Sequence, residues 1–263
     1  MYPVLIALGP LQIPTYGFLM AIGFLMAFNL VIKKAEIREI NINKLANLLF
    51  IILLFSILGS RFVYVALRWE IFSRNPLDIF KLWKGGMVFY GGLIAALTAS
   101  LLYCRIASLP IGEIADMMAP SLALGHVFGR LGCFAYGCCY GHETTFCTGV
   151  HFPFDSAGVY RHPTQIYEAI AEFLIFLFLT FLYKHWIHPL TGVRGKGYRD
   201  GSLLLVYVVL YSTFRFFNEF FRGDNRGGQW LFGLSVSQNG ALFLILVSVI
   251  MFLCFRLTEK NVK

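Results

Sequence analysis

Charge is what this sequence has least of. Only 14% of its 263 residues are Asp, Glu, Lys or Arg, whereas 58% are hydrophobic, and the mean hydropathy is +0.69. A soluble globular chain carries about 25% charged residues, so the composition excludes that class and implies an integral membrane protein. Acidic residues are the scarcer sign, 14 against 22 basic, for a formal net charge of +8. The excess does not mark a nucleic-acid binder. The basic residues lie between apolar runs rather than along one soluble face, which membrane topology and anionic lipid explain. No basic segment precedes the first apolar run, so no secretory signal peptide is expected. Internal repeats, low-complexity tracts and a separate soluble domain are also missing. A single polytopic membrane domain over residues 1–263 is the expectation.

What is present is a series of apolar windows, each about 20 residues long, the length that crosses a bilayer. They predict an all-α protein of about seven transmembrane helices, roughly at residues 15–32, 45–67, 87–106, 114–132, 165–183, 201–221 and 236–256. Gly85, Gly86, Gly91 and Gly92 interrupt the third, which reads as a broken or re-entrant segment lining a polar cavity. Pro120 and Gly125 weaken the fourth. The first positive charge, Lys33, lies beyond the first span, which puts the N-terminus outside. Inner connections and the tail then hold Lys33, Lys34, Arg38, Lys44, Arg105, Lys184, Arg194, Lys196, Arg199, Arg256, Lys260 and Lys263. The outer side holds Arg68, Arg74, Lys81, Lys84, Arg161, Arg222 and Arg226. Twelve against seven agrees with an outer (periplasmic) N-terminus and a cytoplasmic C-terminus.

Arg61, Arg130 and Arg215 remain, each in or at the edge of a span and toward the outer half. An ionisable group at membrane depth is costly and is a functional candidate by default. Arg130 opens Gly129-Arg130-Leu131-Gly132-Cys133-Phe134-Ala135-Tyr136-Gly137-Cys138-Cys139-Tyr140-Gly141, a run too rich in glycine and cysteine for a lipid-facing helix. A guanidinium forks onto phosphate oxygens; the bland alternative is an arginine reaching to the interface. His126 lies one turn before Arg130. Arg215, Glu219 and Arg222 share one helix face, either as a self-neutralised ion network or with Glu219 holding Arg215 for an anion. Arg161-His162-Pro163-Thr164-Gln165-Ile166-Tyr167-Glu168 opens the fifth span. It reads as a helix start or as a polar rim for a headgroup, with His162 a candidate acid or base. Tyr16-Gly17, and Tyr90 ahead of Gly91 and Gly92, are either interfacial aromatics or cavity residues. Cys133, Cys138, Cys139 and Cys147 fall on the oxidising side. Disulfides are the expected state, with a catalytic thiol open, and a zinc site disfavoured because adjacent cysteines do not match common finger spacing. No metal is assigned.

At these residues the chain resembles the prolipoprotein diacylglyceryl transferase family. The resemblance runs in order over nearly the whole chain: Leu8-Gly9-Pro10, Tyr16-Gly17, Gly59-Ser60-Arg61, Trp83 to Leu93, Gly129-Arg130-Leu131-Gly132, Arg161 to Glu168, and Arg215 to Arg222. It implies a multi-pass enzyme of the bacterial inner membrane, its active site facing the periplasmic half. Such an enzyme moves the diacylglyceryl group of phosphatidylglycerol onto the lipobox cysteine thiol of a prolipoprotein signal peptide, forms a thioether and releases glycerol phosphate. No cofactor is implied. Arg130 and Arg215 would hold the phosphate, Tyr16 would line the cavity, and Gly137 would shape the substrate loop. Arg61, Glu219, His162, Gln165, Tyr167, Gly91, Gly92, Gly132 and Cys133 complete the expected substrate-binding set. Two departures stand out. Tyr90-Gly91-Gly92 replaces His-Gly-Gly of the best-known members, and Gly132-Cys133-Phe134 replaces Gly-Asn-Phe. Tyrosine is a poor base for a thiol, so the base is left open among Tyr90, His126 and His162, with His126 preferred. Two alternatives stay in view: a paralogue with the same phospholipid site and another acceptor, and a non-enzymatic binder or transporter of anionic lipid.

Overall fold

The computed structural model describes residues 1–8, 11–82, 85–187, 199–223 and 231–260. Gly9, Pro10, Trp83 and Lys84 of the resembling motifs, and Arg194, Lys196, Arg226 and Lys263 of the charge count, lie outside them. A hairpin of β1 (Val4–Leu8) and β2 (Leu11–Pro14) opens the chain, paired antiparallel from Val4 with Pro14 to Leu8 with Leu11. Helices follow: α1 (Thr15–Ile37), α2 (Ile42–Leu67), the single turn α3 (Trp69–Phe72), α4 (Phe89–Ile106), α5 (Ile111–Tyr136), α6 (Thr164–Leu182), α7 (Ser202–Asn218) and α8 (Val236–Lys260). Each of the seven predicted spans falls on one long helix.

Helices α1, α2, α4, α6, α7 and α8 are long and apolar enough to cross a membrane. The 26 residues of α5 reach about 39 Å at 1.5 Å per residue, which is also long enough. Asp116, Pro120, His126 and Arg130 make it less apolar. This is an all-α, multi-pass membrane protein.

The chain packs as two compact units, Ile32–Ile111 in one and Met1–Val31 with Gly112–Lys263 in the other. In the first, α2 and α4 cross with their backbones in contact. A Cβ on Gly91 would come within 2.6 Å of the Gly59 carbonyl oxygen and of Val63, and one on Gly92 within 2.6 Å of the Ser56 carbonyl. The expectation of a broken third span is therefore corrected. α4 is continuous, and its glycines serve close helix packing, which membranes favour because lipid gives helices little hydrophobic reason to associate. Arg61 is buried and straps the segment ahead of α4. Its Nε donates to the Ile79 carbonyl (2.9 Å), Nη1 to those of Gly85 (2.6 Å) and Gly86 (3.1 Å), and Nη2 to those of Asp78 (2.6 Å) and Lys81 (3.4 Å).

In the other unit the tie that places α7 against α5 is Asp116. Its buried carboxylate accepts the backbone N–H groups of Gly201 (2.6 Å), Leu203 (2.8 Å) and Leu204 (3.1 Å). These are orphan donors of a helix start, and a negative charge there also complements the helix dipole. The connection from α5 to α6 is a compact loop. It closes over Phe152, fully buried among Phe134, Tyr140 and Phe154. Arg161 joins Asp155 (Nε to Oδ1, 2.8 Å) and lies over the Tyr140 ring. Gly141 bridges Arg222 in antiparallel fashion, which brings the loop beside the end of α7. There a Cβ on Gly141 would fall 2.5 Å from the Phe221 carbonyl.

Candidate active site

The site grows from the C-terminal end of α5. Gly137 adopts a left-handed conformation (φ 85°), and both its N–H and that of Cys138 return to the Cys133 carbonyl, at 3.0 and 3.1 Å. This is the glycine-terminated helix end in which two late N–H groups satisfy the last carbonyls. The turn swings Cys138 and Cys139 back over the helix end. The sulfurs of Cys133, Cys138 and Cys139 all lie within 4.8 Å of one another, with Cys138 and Cys139 Sγ 3.4 Å apart. The start of α6 clamps the turn from the other side. Gln165 Nε2 donates to the Cys138 carbonyl (2.6 Å) and Thr164 Oγ1 to the Cys139 carbonyl (2.7 Å). Hydrogen bonding to Cys133 and Cys139, with burial, pushes the Cys138 thiol well above its ordinary range. Disulfides were expected on this side. The described residues contain none, and Cys133, Cys138 and Cys147 are free thiols.

Beneath the turn, a stripe of α6 at helical spacing (Gln165, Glu168, Glu172) is almost wholly buried. It meets α5 and α7 in a polar network. Arg130 Nη2 pairs with Glu168 Oε1 at 2.7 Å, and Asn218 Nδ2 donates to Glu168 Oε2 at 3.3 Å. His126 Nδ1 stands 2.9 Å from both Glu172 Oε1 and the Tyr207 hydroxyl. One turn from Asn218 along α7, Arg215 Nη2 pairs with Glu219 Oε2 (2.6 Å) and donates to Ser237 Oγ (3.2 Å). Arg222 Nε is 3.9 Å from the same Glu219 oxygen. Arg215 Nη1 is buried with no partner among the described residues. A buried guanidinium nitrogen is expensive to leave unmet, and an anionic ligand would meet it. Glu168 joins Arg130 to Asn218, which lies one turn from Arg215 on α7, so the two cations border one region.

Tyr16, at the start of α1, lies against Gly132, where a Cβ would come 3.0 Å from its ring. His162 Nδ1 and Tyr167 hydroxyl are 3.1 Å apart, and Tyr167 reaches Thr148 at 3.0 Å. This loop-side pair is separate in its bonding from the Arg130 network. Tyr90, Gly91, Gly92 and Arg61 belong to the other compact unit. Tyr90 is exposed on the first turn of α4, and all three Arg61 nitrogens donate to backbone carbonyls.

A model of the family described as prolipoprotein diacylglyceryl transferase matches residues 3–254. The chain belongs to this family. It is similar to phosphatidylglycerol--prolipoprotein diacylglyceryl transferase 2 of Clostridium perfringens, 35% identical over 245 residues, which are 92% of this chain and 91% of that protein. The enzyme of the same name, without the number, from Clostridium tetani is 34% identical over 255 residues, covering 96% and 97%. That of Parasynechococcus marenigrum is 34% identical over 229 residues, covering 84% and 80%.

In this prolipoprotein diacylglyceryl transferase family member, the structure adds Glu172, Tyr207, Asn218 and Ser237, which the sequence did not single out, and brings Glu168, read there only as part of the polar rim from Arg161 onward, onto Arg130. One signal was available. Two glutamates four apart share a face of a helix whose mean hydropathy is 1.8, and carboxylates at that depth need partners. Which partners they find depends on helix rotation, which local sequence does not carry.

Proposed function

We propose that this chain transfers the diacylglyceryl group of phosphatidylglycerol to the lipobox cysteine thiol of a prolipoprotein, with Arg130 and Arg215 as the phosphate clamp. The observation that carries the reading is this pair of mostly buried arginines in one unit, Arg130 held by the buried Glu168 and Arg215 by the nearly buried Glu219. Glu168 and Glu219 fix the guanidiniums in advance, so little reorganisation is left for the reaction. Arg130, Arg215 and Arg222 against Glu168, Glu172 and Glu219 make three positive and three negative charges. The pocket can thus hold a phosphodiester without a large opposing field.

The thiolate attacks the glycerol carbon that bears the phosphate. A C–S bond forms, the C–O bond breaks, and glycerol phosphate leaves with one more negative charge than the diester carried. Arg130 and Arg215 stabilise that growing charge, a role worth ~10²–10³ in rate for one donor. The thiol proton goes to His126. Glu172 at Nδ1 holds the imidazole so that Nε2 is the accepting nitrogen, and the resulting positive charge offsets the second charge of the leaving group. Tyr16, packed on Gly132, walls the cavity, and Gly137 shapes the loop that meets the peptide. His162, Gln165 and Tyr167 form the outer rim. The two units act as one polytopic domain of seven spans in the bacterial inner membrane. The N-terminus is periplasmic, the C-terminus cytoplasmic, and the site faces the periplasmic half, which the Lys and Arg count supports.

The relatives' shared name does not favour another acceptor or a non-enzymatic lipid binder. The test gives purified protein phosphatidylglycerol and a lipobox peptide, and follows peptide mass. A diacylglyceryl gain on the cysteine peptide, with none on its serine counterpart, is expected. Gain on neither peptide from folded protein would refute the reading.

A further inference from the structure

The sequence spacing argued against a metal at the cysteines, yet folding brings three sulfurs into one group. We propose that Cys133, Cys138 and Cys139 form a three-thiolate zinc site whose fourth position takes the acceptor thiol. This deepens the transferase reading and rests on it.

Four observations converge. First, a tetrahedral zinc with sulfur at ~2.3 Å needs sulfurs about 3.8 Å apart. Separations within 4.8 Å, and 3.4 Å for Cys138 with Cys139, reach that with shifts of about 1 Å or less. Second, the group among the described residues has three ligand atoms, and three protein ligands with an open position characterise catalytic rather than structural zinc. Third, the ligand backbones are held by hydrogen bonds, two of them from α6. Gln165 and Thr164 take the carbonyls of Cys138 and Cys139, and Gly137 and Cys138 N–H take that of Cys133. Such supports orient metal ligands. Cys139 is one of few non-glycine residues here with positive φ (68°), and strain of this kind collects at functional sites. Fourth, Cys133 follows Arg130 by three residues on α5 and so shares its face. Attacking sulfur and departing phosphate must meet at one carbon, and this adjacency provides for both.

The chemistry closes. A neutral thiol is a poor nucleophile at pH 7, and a thiol bound to zinc is deprotonated outright. The acceptor thiol enters the fourth position and gives up its proton through solvent to the His126 imidazole. The zinc-bound thiolate forms the C–S bond, the C–O bond breaks with its electron pair staying on the glycerol phosphate, and the neutral thioether leaves the metal as a weaker ligand. No oxidant or reductant is needed, which suits redox-inert zinc.

The test is metal analysis of protein purified in detergent without chelator. Stoichiometric zinc is expected in wild type and in Cys147→Ser, which alters an exposed loop thiol, and its loss in Cys138→Ser and Cys139→Ser. Thr164→Val keeps every sulfur and removes one support, and should weaken zinc binding by ~10–100-fold. Cobalt-substituted wild type should change its visible spectrum on adding the lipobox peptide and not on adding the serine peptide. Full transfer by metal-free protein would overturn the inference and leave the transferase reading standing. So would a disulfide among these cysteines in active protein. Bound zinc with a cobalt spectrum blind to the peptide would make the site structural and overturn the activation step. Zinc uptake with no transfer to any peptide would instead strike the transferase reading.

Discussion

Replacing Glu168 by glutamine removes one charge from the centre of the α5–α6–α7 network and keeps its shape. Glu168 is 1% exposed at the side chain and Arg130 19%, at 2.7 Å. The glutamine oxygen can still accept from Asn218 or from Arg130, so the change converts a charged hydrogen bond to a neutral one. Hydrogen bonds to charged groups are worth ~1.5–3 kcal/mol, and removing one partner outright from a buried pair costs ~3–5 kcal/mol. The glutamine should sit at the lower range, about 2 kcal/mol, with alanine near the upper. Each 1.36 kcal/mol is tenfold in rate, so kcat/KM for transfer should fall by ~10–50-fold as Arg130 loses its fixed position. The assay pairs thermal unfolding in detergent with transfer kinetics for Glu168→Gln, Arg130→Gln and the double variant. A coupling energy above about 1 kcal/mol between the two sites is expected. Glu168→Gln with wild-type melting and activity, and a cycle that closes additively, would refute the claim that this carboxylate organises the arginine.

Other consequences follow from the same geometry. Arg215→Lys keeps the charge but loses the fork that serves Glu219, Ser237 and an anion together; kcat/KM should drop by ~10²-fold, with expression and melting near wild type. His126→Gln should lower the transfer rate by ~10²–10⁴-fold, the usual worth of a positioned base, with melting near wild type; normal activity would remove His126 as base. Gly132→Ala places a methyl 3.0 Å from the Tyr16 ring and should destabilise the α1–α5 contact by ~1–3 kcal/mol, read as a lower melting temperature. Gly91→Ala meets carbonyl backbone at 2.6 Å and should lower melting by a comparable amount.

The helices were legible because a bilayer demands about 20 apolar residues with internally bonded backbone, and six of the windows landed on helices long and apolar enough to cross a membrane. Boundaries moved where the helix outlasts the apolar window, as in α5, which begins at Ile111 and ends at Tyr136. Gly91 and Gly92 misled, because glycine reads as a breaker in water and acts as a packing surface between membrane helices. The Arg215–Glu219 pair was legible because both residues lie on one helix at a spacing of four. Glu168 with Arg130, and Glu172 with His126, were not, because each pair joins two helices. The cysteines show the same limit. Their place on the oxidising side pointed to disulfides, and only the Gly137 turn, with the clamp from Thr164 and Gln165, reveals three sulfurs in one place.

The proposed clamp of Arg130 and Arg215 holds and stabilises the departing phosphate. The most direct measurement is glycerol phosphate release from phosphatidylglycerol with a lipobox peptide, wild type beside Arg130→Ala, both shown folded by thermal unfolding. Release matched by peptide mass gain in wild type, and reduced by ~10²–10³ in the variant, is the expected result. Equal release from both would refute the arginine clamp.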